Sequence, residues 1–189
     1  MAIKAGFALC GSFCTFGKVI PQMESLKESG IDIFPIMSYN AYETDTRFGT
    51  AKEHIDRIEK ICGREIIHSL TAAEPIGPKK MIDALIIEPC TGNTLAKLAA
   101  GIADTPVTLA AKSNLRNGNP VIIAISTNDA LGNAAKNIGM LMNAKNLYFV
   151  PFRQDDCVNK PTSIVADFEK TKDTLLSALV NKQIQPMVM

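Results

Sequence analysis

Tryptophan is absent from this chain, tyrosine occurs three times and histidine twice among 189 residues. With no basic cluster interleaved with aromatic residues, the sequence has little material for stacking bases, and nucleic-acid binding is not expected. Cys10 and Cys14 stand four apart, but no second cysteine or histidine pair answers them, so a zinc site is not expected either. Long apolar runs are missing: "DALIIEP" and "PVIIAIS" stop well short of the roughly 20 residues a spanning helix needs, and no membrane association is expected. Charge of one sign is missing too, since 20 basic residues meet 19 acidic ones for a net charge of +1. The five cysteines (Cys10, Cys14, Cys62, Cys90, Cys157) are odd in number and lie mostly in apolar surroundings, which reads as reduced thiols in a cytoplasmic protein. "MAIKAGFALCG" carries one Lys and a short apolar run ending in glycine, a first strand rather than a secretory signal.

What is present is the composition of an ordinary globular protein, 47% hydrophobic and 21% charged, long enough to bury a core as one domain spanning residues 1–189. Apolar runs bounded by turn residues predict strands at Ile3–Leu9, Asp32–Met37, Ala84–Glu88, Val121–Ile125 and Leu147–Val150, with a weaker one at Glu65–Ile67. These runs are nearly continuous, as in strands covered on both faces. Helical spacing appears at Val19–Ser29, Ala51–Cys62, Thr94–Ala103 and Ala130–Met142, and a last helix is expected from about Thr162 to Asn181. Strand and helix alternate, which predicts an α/β fold: a Rossmann-like open, mostly parallel sheet with helices on both faces. "SYNAYETDTRFGT", "TAAEPIGPKK" and "PFRQDDCVNKPTS" are the longest breaks and are expected as surface loops.

Ligands of such sheets lie beyond the carboxyl ends of the strands, so the strand exits carry the functional reading. At the first, Gly11-Ser12 is either a tight turn or a contact to an anion through backbone N–H groups. It is no Walker A loop, because Val19 stands where Ser or Thr would bind magnesium. At the second, Ser38 is either a helix cap or a ligand contact. The third long apolar strand leaves through "EPCTGNT", where Cys90, Thr91, Gly92, Asn93 and Thr94 crowd small and hydrogen-bonding residues into one exit. Thr91, Asn93 and Thr94 are all competent N-caps, with Asn93 or Thr94 expected to cap the helix; the others are left free for a ligand approached by backbone. Ser126, Thr127 and Asn128 form a further polar exit. Neutral donors and acceptors dominate this inventory, which suits a heteroaromatic cofactor better than hydrolysis. His54, in "AKEHIDRIEK", reads as a solvated face residue, and His68 as structural or as an acid or base.

"EPCTGNTLAKLAAGIADTPVTLAAK" resembles the defining segment of the FMN-binding flavoprotein family that includes cysteine decarboxylases and flavin prenyltransferases. The resemblance extends to Gly11-Ser12, Ser38 and Ser126–Asp129, and so covers nearly the whole chain. It implies FMN, with Ser12 and Ser38 toward the phosphate and ribityl chain, Cys90, Thr91 and Asn93 toward the isoalloxazine ring, and Ser126 and Asn128 completing the pocket. It also implies a homo-oligomer, trimeric or dodecameric. "GFALCGSFCTFGKVIPQMESL" and "VPFRQDDCVNKPTSIVADF" are similar to family members that work with a separate nucleotide-binding subunit in sporulating bacteria. Such members oxidise a dihydropyridine dicarboxylate to pyridine-2,6-dicarboxylate. The alternative within the family is a flavin prenyltransferase or a cysteine-decarboxylase-like flavoenzyme. A small-molecule dicarboxylate needs cationic partners, and Arg116 and Arg153, with Arg47 and Lys112, are the candidates because each falls in or beside an expected loop.

Overall fold

The computed structural model describes residues 2–189. The chain runs β1 (Lys4–Leu9), α1 (Phe16–Glu28), β2 (Asp32–Met37), α2 (Tyr39–Glu43), α3 (Ala51–Cys62), α4 (Leu70–Ala73), β3 (Ala84–Cys90), α5 (Gly92–Ala99) and α6 (Pro106–Arg116). It continues through β4 (Val121–Thr127), α7 (Ala135–Met142), β5 (Leu147–Phe149), β6 (Phe152–Asp156), β7 (Lys160–Ala166) and α8 (Thr171–Leu179). These strands form one sheet in the order β2-β1-β3-β4-β7-β6, with β5 beside the first half of β4. β2, β1, β3, β4 and β5 are parallel, and the expected open α/β architecture is the one observed.

Burial explains why these segments are strands. All seven residues of β3 are buried, Ala84 through Cys90, and so are the first six of β4, so both faces of the central strands are covered. α1 and α8 pack together against β3, and α5 and α6 together against β4. α1 presents Phe16, Val19, Ile20, Met23 and Leu26, the stripe of a helix lying on a sheet. α3 starts at a capping box, in which Thr50 Oγ1 accepts from Glu53 N–H and the Glu53 carboxylate accepts from Thr50 N–H, and ends at Gly63 in the left-handed region (φ 68°).

The structure departs from the sequence reading in several places: "SYNAYETDTRFGT" opens with α2, "TAAEPIGPKK" with the end of α4, and α7 begins at Ala135 rather than Ala130. "PFRQDDCVNKPTS" is not a loop but the β6–β7 hairpin, antiparallel to itself and to the end of β4. The last helix accordingly begins at Thr171 rather than Thr162. Exposed polar residues fill much of the hairpin, so it lacks the apolar run by which a buried strand is recognised. Glu65–Ile67 makes one parallel bridge, Ile36 to Ile67, and no strand. The helix expected over Thr94–Ala103 is α5, ended by Gly101 at φ 70°, and α6 follows from its own capping box of Thr105 and Thr108 with Pro106 at its start.

Candidate functional site

The chain leaves β1 toward β2 on one side and later places β3 and β4 on the other, so the strand order reverses between β1 and β3. Loops diverge at such a point and leave a crevice. Here they are the exits of β1 and β3, tied together by Cys10 N–H donating to Pro89 O at 3.2 Å. The exit of β2 is drawn in by Ser38 N–H donating to Leu9 O.

Two adjoining clefts open there, sharing Gly11 and Thr91. The main cleft, about 490 Å³, has Ser12, Ser126 and Asn128 on the sheet side. Its far wall comes from the 3-10 turn that leads into α1 (Cys14, Thr15), from the first turn of α1 (Lys18) and from the β6–β7 hairpin (Asp155, Lys160, Ser163). The side cleft, about 310 Å³, is bounded by Ser38, Asn40, Asn93, Thr94 and Lys97. Lys97 is fixed at its mouth by a 2.7 Å ion pair to Asp104.

The residues expected from the sequence thus converge from four strand exits, with one exception. Gly11, Ser12, Ser38, Thr91, Asn93, Thr94, Ser126 and Asn128 all line one cleft or the other. Cys90 does not: it is still part of β3, wholly buried, and its thiol is pushed well above its ordinary range by burial and by the neighbouring Cys10. Burial likewise pushes the Cys10 thiol up to about 11, opposed by the hydroxyl that Thr94 donates to its sulfur at 3.2 Å. Both sulfurs are therefore packing groups rather than nucleophiles.

Local chemistry fixes the remaining side chains. Thr91, not Asn93 or Thr94, caps α5, its Oγ1 accepting from Thr94 N–H, and this leaves Asn93 exposed in the first turn. Ser38 caps α2, its Oγ accepting from Ala41 N–H, and borders the side cleft. Ser12 Oγ and Ser126 Oγ are 2.9 Å apart, and Ser163 donates to Asn128 Oδ1 at 3.2 Å, tying sheet wall to hairpin. Gly92 lets two side chains approach the start of α5 closely: a Cβ there would stand 2.8 Å from Asp129 Oδ1 and 2.9 Å from Thr127 Oγ1.

The cations expected to meet a dicarboxylate lie elsewhere. Arg116 ends α6 beside Gly77, next to residues that bond the amino ends of β3 and β4, at the opposite edge of the sheet. Arg153 borders a neighbouring depression between α1 and the hairpin, which shares Lys18 and Val165 with the main cleft but leaves Arg153 out of its lining. Arg47 lies over the Phe48 ring at 4.9 Å, and Lys112 borders a shallow apolar hollow between α5 and α6. Loop position alone misleads here, because a helix end that feeds a strand lies at the strand's amino edge. The cations that do line the main cleft are Lys18 and Lys160, which sequence reasoning misses. His68 stacks flat on Tyr42 (3.9 Å between centroids, 2° between planes), with its Nδ1 3.1 Å from Ile66 O. His54 is half-buried rather than solvated; it meets the Phe16 ring edge-on, and desolvation lowers its pKa.

An open parallel sheet whose switch-point cleft is lined by hydroxyls and amides is the architecture of a cofactor-binding α/β protein. Residues 2–184 match the Flavoprotein family, and the chain belongs to that family. It is 44% identical over 185 residues to the B subunit of dipicolinate synthase of Bacillus subtilis (strain 168), covering 98% of this chain and 92% of that protein. The crystal structure of the dipicolinate synthase B subunit from Bacillus halodurans C superposes with a TM-score of 0.91 at 44% identity, over 100% of this chain and 98% of that one. The FMN-dependent cysteine decarboxylase SpaF shares the fold at a TM-score of 0.66 and 24% identity, over 93% of this chain and 97% of that one.

Proposed function

We propose that this protein is the FMN-binding B subunit of a dipicolinate synthase. In this reading it acts with the enzyme's separate A subunit in the oxidation of dihydrodipicolinate to pyridine-2,6-dicarboxylate during sporulation, as a cytoplasmic homo-oligomer built from one flavoprotein domain. The observation that carries the reading is the 44% identity to the dipicolinate synthase B subunit over 98% of the chain.

The donor set suits the cofactor. Neutral hydroxyls and amides converge from four exits, the first N–H groups of α5 lie at the side cleft, and Gly92 lets the Thr127 and Asp129 side chains pack directly against the start of α5. Ser12 and Ser38 would hold the phosphate and ribityl chain, Thr91, Asn93 and Thr94 the ring, and Ser126 with Asn128 would close the pocket. When bound, FMN supplies a two-electron acceptor for the loss of two hydrogens that makes the substrate ring aromatic. The protein's own groups then orient and desolvate. The Ser12–Ser126 pair fixes the floor, and the hairpin residues Asp155, Lys160 and Ser163 wall one side of the main cleft.

The test is a visible absorption and fluorescence titration with FMN of the wild type and of Asn93→Ala, followed by an assay of dipicolinate formation on mixing with the A subunit. Saturable binding weakened in the variant, with product formed only when both proteins are present, is the expected result. Failure of FMN to bind, whether the chain is alone or mixed with its partner, would overturn the cofactor assignment. A new flavin adduct formed from reduced FMN and a prenyl phosphate would replace the reaction.

A further inference from the structure

We infer that Lys18 and Lys160 are the carboxylate-binding pair of the main cleft, each receiving one carboxylate of a small planar dicarboxylate. The inference rests on the reading just proposed, since it names the residues that recognise that reaction's substrate. It also reassigns that role away from Arg116 and Arg153.

The cleft is asymmetric in charge. At one end Asp129 lies beside Gly92 and accepts the Thr127 hydroxyl at 2.6 Å, on the sheet side. At the other end Lys160, on β7, sits near the Cys14 thiol, and Lys18 follows Cys14 by one helical turn, so both ammonium groups belong to the same wall. Lys160 is already oriented, its Nζ 3.0 Å from Asp155 Oδ2. Lys18 has no ion-pair partner among the described residues and borders both the main cleft and the neighbouring depression that holds Arg153. A free ammonium and one tethered to Asp155, on two different elements and across the cleft from Ser12, Ser126 and Asp129, match a rigid ligand with two separated anionic groups better than a single phosphate. A lone phosphate would favour convergent donors on one element. Ser163 and Asn128, bonded to each other, stand between hairpin and sheet, where they can accept or donate to the ring nitrogen side of such a ligand.

The experiment is calorimetric titration of the FMN-loaded chain with pyridine-2,6-dicarboxylate in metal-free buffer. It is repeated with pyridine-2-carboxylate, and on Lys18→Gln, Lys160→Gln and, as a remote control, Arg116→Gln. In parallel, alkylation of Cys14 is timed in a Cys157→Ser background with and without the dicarboxylate. Loss of one charge-assisted contact should weaken the dicarboxylate by about tenfold or more in each Lys variant, with Arg116→Gln at wild-type affinity and FMN affinity unchanged in all three. The monocarboxylate should bind the wild type more weakly than the dicarboxylate, and the dicarboxylate should slow Cys14 alkylation. Wild-type affinity in both Lys variants would overturn the inference, as would a wild type that binds FMN but leaves both calorimeter and Cys14 unresponsive. If FMN does not bind while the dicarboxylate still protects Cys14 in a Lys18-dependent way, the cofactor reading falls and the lysine pair stands.

Discussion

Thr171, the first residue of α8, donates its hydroxyl to Glu88 Oε2 at 2.5 Å, while the other oxygen of that fully buried carboxyl has no partner among the described residues. Glu88 lies in β3 one residue before Pro89, so the bond joins the strand that ends in the ligand loop to the helix on the opposite layer. Burial raises its pKa from 4.5 to about 8, with the Thr171 bond opposing the shift. The carboxyl therefore keeps its proton through neutral pH.

The sign of its effect on stability follows. Below pH 4.5 the group is protonated folded or unfolded and contributes no slope. Between 4.5 and about 8 the unfolded chain ionises while the folded one does not, and stability falls as pH rises, by on the order of 5 kcal/mol at most. Glu88→Gln keeps the shape and abolishes the titration. Thermal melts at pH 5 and pH 9 should show the variant gaining several degrees on the wild type at the higher pH. Parallel curves would show that Glu88 is not the titrating group.

Ser12 and Ser126 are 114 residues apart in the chain and share one hydrogen bond across the floor of the cleft. Each single change to Ala should cost about 0.5–1.5 kcal/mol, and the double variant should lose less than the sum, because the second change removes a group already unpaired. Urea unfolding of the four proteins measures that coupling, and strict additivity would deny the bond.

Gly92→Ala separates folding from ligand binding. Its Cβ would crowd the ends of Asp129 and Thr127, which can swing into the cleft, while alanine favours the first turn of α5 by up to about 1 kcal/mol. The melting temperature should move little. FMN affinity, read by flavin fluorescence quenching, should fall about tenfold as the displaced side chains occupy the ring's place. Unchanged affinity would put the ring elsewhere.

Thr50→Ala removes the capping box of α3, far from either cleft. It should cost about 1 kcal/mol in chemical denaturation with ligand affinity preserved. A ligand-binding defect in this variant would reveal coupling between α3 and the site.

Strand exits are legible in the sequence because buried parallel strands leave unbroken apolar runs, as in Ala84–Glu88, and because exits such as Thr91–Thr94 gather residues that neither strand nor helix interior favours. Cys90 reads wrongly as a loop residue since small size alone does not tell a loop from the last buried position of a strand. The hairpin escapes for the opposite reason: Arg153, Gln154 and Asp155 are exposed, so no apolar period marks β6. With it goes Lys160, whose place in the main cleft depends on pairing between Ser126 and Val165 that no local pattern encodes. Lys18 is visible only as a lysine after a glycine, and its role requires knowing what stands across the gap.

The hairpin meets the sheet at two rungs, Ser126 with Val165 and Thr127 with Ile164, and its turn is built by Asp156, whose carboxylate accepts from Val158 N–H, Asn159 N–H and the Asn159 side chain. Residues 157–162 are all exposed, and the tip is held at its base by Thr162, which donates its hydroxyl to Asn128 O and accepts from Leu131 N–H. Lengthening or shortening the turn at residues 157–159 leaves the seam and the flavoprotein layers intact while changing how far the outer wall, with Lys160 on it, reaches over the opening. Within this architecture, divergence in what relatives admit can accumulate at the tip at almost no cost in folding, while the seam stays fixed.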